Sequence, residues 1–374
     1  MICSEWNGEL LYVGGLLSRA VYELELSDIQ SSWETATASS NASNSRPSLE
    51  FQTQLRKRFI HVLKFFTFHH STPSPKVAQL LKHWFYECSP SPLRLLSSVG
   101  VRDASDIRMF DQNCDKFLKH VPMLSPDVME AGKDIISALP DKHTIQRITL
   151  PDVLRDLRLH TLGEAELVAC LRWQMSHAPA TGLKDLLQVA YFWGASGTSI
   201  QLSSIQYFIN PDGFGAYIPA DGPLPSSLMP RKITGYLSPR SLVTFGWREF
   251  TVVDWLQYIS RPEIRSANPK HDFVQSIHWA ERVLRSVSSA WTSSDEIRRL
   301  AKSVFGNEKC IPVLRGLCRP EESYLPSLNI PAFDDLRLPV VCFPSGHEIS
   351  GEMEQLLIAL GVQQHLPPQL LLTR

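Results

Sequence analysis

Charge of one sign is missing from this chain. Its 374 residues carry 37 Lys and Arg against 38 Asp and Glu, a formal net charge of -1. That balance gives no electrostatic footprint for nucleic acid or an anionic membrane and leaves room only for a local basic patch. Paired cysteines are missing too. The seven present (Cys3, Cys88, Cys114, Cys170, Cys310, Cys318, Cys342) are odd in number and scattered, which argues against a disulfide framework and for a reducing compartment. The tightest pair, Cys310 and Cys318, is too wide for a CxxC motif, and both read as small apolar residues. No run reaches the roughly 18 apolar residues of a membrane-spanning helix. Residues 1–6 lack the basic start and apolar run of a signal peptide. The sequon Asn41-Ala42-Ser43 would go unused inside a cell. The expected location is the cytoplasm, with the nucleus left open, and 43% hydrophobic with 20% charged residues fits a soluble globular chain.

Catalytic and cofactor signatures are equally scarce. There is no GxSxG elbow and no HExxH helix. The turn from Gly194 to Ser199 lacks both the lysine of a P-loop and the GxGxxG spacing, and reads as a plain hairpin turn. His61, His69, His70 and His83 cluster in sequence near Cys88, yet zinc needs four convergent ligands, and adjacent His69 and His70 cannot easily aim at one ion. Glu164 and Glu166, two apart on a helix, point to different sides and cannot face each other as an acid–base pair. Arg56-Lys57-Arg58 reads as the solvated side of an amphipathic helix. Trp173, Trp193, Trp247, Trp255, Trp279 and Trp291 sit in apolar segments and read as core anchors. No catalytic, cofactor-binding or metal-binding residue is assigned.

What the chain does have is helical periodicity. Leu17, Val21, Leu24 and Leu26 mark an early helix. A polar stretch over 35–48 reads as a disordered loop. Phe51, Leu55, Phe59, Val62, Leu63 and Phe66 recur at helical spacing, as do Val77, Leu80, Leu81, Trp84 and Phe85. Pro126 and Pro151 stand at helix starts. Thr161 with Glu164, and Ser293 with Glu296, have capping-box spacing. Residues 187–193 and 200–209 look like strands, so the middle has the helix–helix–hairpin order of a winged helix. A proline-rich connector spans 210–230. Phe273, Ile277, Ala280, Leu284 and Val287 form an amphipathic stripe, and a last helix ends at Gly361. The reading is a mostly helical α+β chain in three parts: a helical region over 1–140, an α+β, winged-helix-like unit over 141–235, and an α+β region over 236–374.

Near the C-terminus, Lys309-Cys310-Ile311-Pro312, Leu314-Arg315-Gly316-Leu317, Arg319-Pro320-Glu321-Glu322 and Tyr324-Leu325-Pro326 resemble segments of sacsin-type repeats, which belong to very large chaperone-like proteins. Further blocks, including Tyr12-Val13-Gly14-Gly15-Leu16-Leu17, Leu63-Lys64-Phe65-Phe66, Val168-Ala169-Cys170-Leu171-Arg172-Trp173 and Pro219-Ala220-Asp221-Gly222-Pro223, resemble a family of large fungal proteins. That family's N-terminal region is similar to the GHKL-type ATPase of sacsin and the heat-shock chaperones. The resemblance implies a place downstream of the ATPase. The ATPase's Asn-bearing helix and Asp-x-Gly-x-Gly loop have no match here, since Asp212-Gly213-Phe214-Gly215 lacks the acidic helix upstream, so ATP binding is not carried over. The implied function is a non-catalytic scaffold or client-binding module of a sacsin-like, chaperone-related protein, with protein partners or clients, a GHKL-type ATPase region in another chain among them, and no cofactor. The alternatives are a nucleic-acid-binding winged helix, disfavoured because residues 162–177 carry only Arg172 and His177 against Glu164 and Glu166, and an enzyme with no recognisable motif.

Overall fold

Helix α1 (Ile2–Ser39) is the longest element of the computed structural model, which describes residues 2–39, 47–66, 75–86, 92–137, 139, 144–177, 182–194, 197–326 and 338–365. The chain is a mostly helical α+β protein, and the sheets among the described residues are all two-stranded. It divides into two compact units, Met1–Trp193 and Gly194–Arg374.

In the first unit, Tyr22, Leu26, Ile29 and Trp33 recur three or four apart and are buried along one face of α1, as helical geometry requires. They pack with α2 (Leu49–Phe65) and α3 (Pro75–Tyr86). Leu55, Phe59, Val62 and Leu63 of α2 and Phe85 of α3 join that core, and Tyr22 stands edge-on to both Phe66 and Phe85. Residues 35–39 of the stretch expected as a loop are helical. Thr35 and Thr37 stay in α1 by turning their hydroxyls back onto the carbonyls of Ser31 and Trp33, a bond that lets threonine remain helical. Residues 40–46 lie outside the described ones.

A hairpin of β1 (Arg94–Ser97) and β2 (Gly100–Asp103) lies against α1. Gly100 makes its turn at φ +95°, a conformation that favours glycine. Four polar contacts hold the hairpin to the helix: Arg19 to the Pro92 carbonyl, Tyr22 to the Arg94 carbonyl, the Arg94 guanidinium to Glu23, and the Val101 N–H to Gln30. A parallel pair follows, β3 (Arg108–Met109) and β4 (Met123–Leu124). Then come α4 (Pro126–Ala131), α5 (Lys133–Ser137), α6 (Leu150–Leu157), α7 (Glu164–His177), α8 (Leu183–Val189) and β5 (Tyr191–Trp193).

Two expectations shift here. The strand read over 187–193 is helical up to Val189, because Gly182 starts α8 and Leu186 anchors it in the core; a third helix therefore follows the two that were expected before the strands. The cap read as Thr161 with Glu164 lies two residues on: the Gly163 N–H is bound by Glu166 at 2.7 Å, while Leu162 is held beside β5 by hydrogen bonds to Tyr191 and Trp193.

The second unit contains β6 (Ser199–Gln201), β7 (Tyr207–Phe208), α9 (Arg231–Thr234), α10 (Pro239–Thr244), β8 (Arg248–Glu249), α11 (Val252–Ile259), α12 (Pro262–Ala267), α13 (Ile277–Ser289), α14 (Asp295–Phe305), β9 (Ile311–Val313), β10 (Gly316–Cys318) and α15 (Gly351–Leu360). Trp255, Trp279, Val283, Val287, Phe305, Leu356 and Leu357 form its core. The proline-rich stretch is ordered and lies on α13: Ser286 donates to the Tyr217 carbonyl, Arg282 pairs with Asp221, and Gly222 abuts Trp279. The cap read as Ser293 with Glu296 is supplied by Ser294, one residue nearer the helix. The run from Ile311 to Tyr324 makes the β9–β10 hairpin, a single 3-10 turn at Pro320–Glu322, and bridges from Tyr324 to Val340 and Gln363. These are the short strands and turns expected of it. Five of the six named tryptophans are buried; Trp193 is the exception, half exposed on an outer face of β5.

Candidate functional site

A partly buried polar arrangement of the first unit forms where the loop before β4 meets α6. The Asp111 carboxylate accepts hydrogen bonds from the N–H groups of Asn113 and Cys114, an Asx-type turn. The loop then buries Cys114, Phe117 and Leu118. Its continuation points the N–H groups of Lys119 and His120 at the Asp156 carboxylate, at 2.9 and 2.5 Å. On α6, Asp152 caps the first turn by accepting from both the N–H and the hydroxyl of Thr149. Asp156 stands four residues on in α6, and His160 four beyond that, just past the end of the helix, where its Nδ1 lies 3.2 Å from the Asp156 carbonyl.

Each acid has its own partners. Asp152 is gripped by Arg108 through Nε at 2.9 Å and Nη2 at 3.2 Å. Burial raises its carboxyl pKa, but the hydrogen bonds from Arg108 and Thr149 outweigh that and leave it below the ordinary value. Asp156 is 1% exposed, and its ion-pair partners among the described residues are both histidines. His120 Nδ1 lies 3.2 Å from Oδ1 and His160 Nδ1 lies 3.6 Å from Oδ2. The His160 ring is fixed on its other side by the Phe117 carbonyl, 3.0 Å from Nε2. One ligand atom from each of His120, Asp156 and His160 lies within 4.8 Å of the other two. Beside them is a cavity of about 240 Å³ lined by Arg102, Arg108, Arg155, His120, Asp152 and Asp156, among others.

A second feature of this unit is apolar. Leu17, Val21 and Leu24 follow one another on the face of α1 opposite its buried stripe, and Leu17 and Leu24 are 63% and 69% exposed. On the paired helix α2, Phe65 is 71% exposed. Single exposed apolar residues are ordinary, whereas contiguous apolar patches are characteristic of interaction surfaces.

The other residues singled out in the sequence have local roles. Arg58 pairs with Glu25 and Asp28, and Arg56 reaches Asp127. Glu166, besides its cap, pairs with Lys119 at 2.9 Å. The turn before β6 is closed by the Gly194 N–H on the Thr198 carbonyl, with Gly197 at φ +72°. His61 and His83 are exposed; His69, His70 and Cys88 lie outside the described residues. Burial pushes the Cys310 thiol up to about 12. Ser176, His177 and Asp111 align in the order of a hydrolytic triad, with Ser176 Oγ 2.8 Å from His177 Nδ1 and His177 Nε2 3.4 Å from Asp111. The Ser176 hydroxyl also lies 2.9 Å from the Trp173 carbonyl. That carbonyl takes its proton as an ordinary helix contact, so the set reads as a helix end.

No motif in the sequence brings His120 to Asp156, which are 36 residues apart. The Asp-x-x-x-His spacing of Asp156 and His160 was the available signal. The fold and site thus define a mostly helical α+β protein with a buried aspartate–histidine cluster. The chain belongs to a family described as Protein of unknown function (DUF3684), whose model matches residues 1–374. Neither a curated protein nor a solved structure matches it. Among the described residues, no helix is long and apolar enough to cross a membrane.

Proposed function

We propose that this chain is a non-catalytic scaffold of the cytoplasm that meets other protein chains through exposed apolar surface, in the manner of a sacsin-like, chaperone-related protein. The observation that carries this reading is the outward stripe of Leu17, Val21 and Leu24 on α1, with Phe65 exposed on α2. Those side chains contribute little to the core beneath them, which is built from the opposite face. The occupant they fit is an apolar segment of a partly unfolded client. The likeness of residues 309–326 to sacsin-type segments supports the chaperone side, and a GHKL-type ATPase in another chain is the partner that likeness implies.

The test is a holdase assay. The chain is added to citrate synthase unfolding on heating, and light scattering is followed. Equimolar chain is expected to suppress scattering. A variant carrying Leu17→Glu, Leu24→Glu and Phe65→Glu, with unchanged circular dichroism, is expected to lose at least about half of that suppression, since such surface changes leave the fold intact. Scattering that the unmodified chain leaves undiminished would sink the reading.

A further inference from the structure

The His120–Asp156–His160 cluster carries an inference independent of the scaffold reading. The Phe117 carbonyl can only accept a hydrogen bond, so His160 must carry a proton on Nε2, which lies 3.0 Å away. In a neutral ring Nδ1 is then a bare lone pair. That lone pair faces two oxygens, the Asp156 carbonyl at 3.2 Å and its carboxylate at 3.6 Å. A bare Nδ1 lone pair turned toward two oxygens is repelled by them unless a cation lies among them. Asp156 sharpens the demand, because its carboxylate is buried and its ion-pair partners among the described residues are the two histidines. A buried carboxylate without a compensating charge is costly.

We propose that His120 Nδ1, the Asp156 carboxylate and His160 Nδ1 form a binding site for a borderline divalent transition metal, zinc foremost. Two imidazoles and one carboxylate match the donor preference of that ion. Metal–ligand bonds of about 2.0–2.2 Å place tetrahedral donors roughly 3.3 Å apart. Each histidine Nδ1 lies near that distance from one of the two Asp156 oxygens, at 3.2 Å from Oδ1 and 3.6 Å from Oδ2, and one ligand atom of each residue lies within 4.8 Å of the other two, close enough to converge on one ion with small side-chain shifts. The surroundings supply the outer contacts that orient ligands in metal sites: the Phe117 carbonyl fixes the His160 tautomer, and the N–H groups of Lys119 and His120 hold the carboxylate. Three protein donors leave a coordination position for water. His120 and Asp156 both line the adjoining 240 Å³ cavity, through which that water would enter.

The experiment uses the full chain, stripped with chelator and reloaded with zinc chloride. Metal content is read by mass spectrometry and affinity by calorimetry. One zinc per chain is expected, with affinity falling at least about tenfold in His120→Ala and in His160→Gln. The His120 side chain is one-third exposed, and circular dichroism of both variants checks that the fold is kept. Cobalt loaded in place of zinc is expected to give the intense visible absorption of a four-coordinate ion, lost in both variants. A chain that takes up no zinc would overturn the proposal, as would zinc binding unchanged in the two variants, which would place the ion elsewhere. A third overturning result is a nitrogen NMR spectrum showing His160 doubly protonated and indifferent to added zinc, since a proton would then be the missing cation.

Discussion

The Glu281 carboxylate on α13 accepts two hydrogen bonds from Ser345, 64 residues away: one from the backbone N–H at 3.1 Å and a second, shorter one from the hydroxyl. Arg285, one turn along the helix, adds a third at 2.8 Å. The acid is 3% exposed, and it ties the segment before α15 to the core helix of its unit. Replacing Glu281 by Ala leaves Arg285 and the Ser345 N–H without their acceptor, and is expected to cost about 2–4 kcal/mol. Glu281→Gln keeps an acceptor for Ser345 and should cost about half as much. Urea denaturation of the two variants checks the order.

Acid should loosen the first unit at the other ion pair. The folded-state pKa of Asp152 is depressed below the ordinary 3.8. The stabilisation it gives is therefore present above that ordinary value and is lost as pH falls through the lower folded value. The adjoining cavity admits solvent to Arg108 and Asp152, so the contribution is on the order of 1 kcal/mol. Asp152→Asn should flatten the fall in stability below about pH 4. Denaturant midpoints measured between pH 3 and pH 6 on both proteins decide it; parallel curves would contradict the assignment.

Gly222 has no room for a side chain. A Cβ there would overlap the Trp279 ring, and Trp279 is buried between the proline-rich stretch and the core. Gly222→Ala is expected to destabilise the second unit by about 1–3 kcal/mol through overpacking. Trp279→Phe should relieve part of that cost, so the double variant should be less destabilised than the sum of the single ones. Thermal denaturation of the four proteins measures the coupling.

The cysteines differ in reach. Cys342 is exposed, whereas Cys114, Cys170 and Cys310 are buried. Burial pushes the thiols of Cys170 and Cys310 up to about 12, and that of Cys114 higher still. At pH 8 iodoacetamide should modify Cys342 at least about tenfold faster than these three, because the thiolate is the reactive form. Peptide mass mapping over time gives the rates, and comparable rates at all four would refute the burial.

Periodicity made most helices legible. The stripe from Phe51 to Phe66 became α2 and the stripe from Phe273 to Val287 became α13 with its lead-in, because a buried helical face repeats within a dozen residues. Caps were legible to within one or two positions. Thr161 and Glu164 had the right spacing, but tertiary pairing of Leu162 with β5 moved the start of α7 to Glu164. Residues 187–189 misled because Leu187 and Val189 suit a strand as well as a helix, and Gly182 decides between them from five residues upstream. The cluster was legible only by half. Asp156 at the end of α6 and His160 just beyond it are close in sequence, but His120 arrives on the loop between β3 and β4, through contacts that no local spacing encodes.

The partners of α1 arrive late in synthesis. Arg19, Tyr22, Glu23 and Gln30 bond to Pro92, Arg94 and Val101, each 71–73 residues downstream. At a translation rate of about 5–20 residues per second, the helix leaves the ribosome roughly 4–14 s ahead of the segment that covers it. Until α2, α3 and that segment have followed, Tyr22, Leu26, Ile29 and Trp33 lack partners that cover them in the finished fold. Each time the chain is made, α1 therefore spends that interval without the hairpin that closes over it, and a protein that holds α1 while it waits is expected to raise the yield of folded chain.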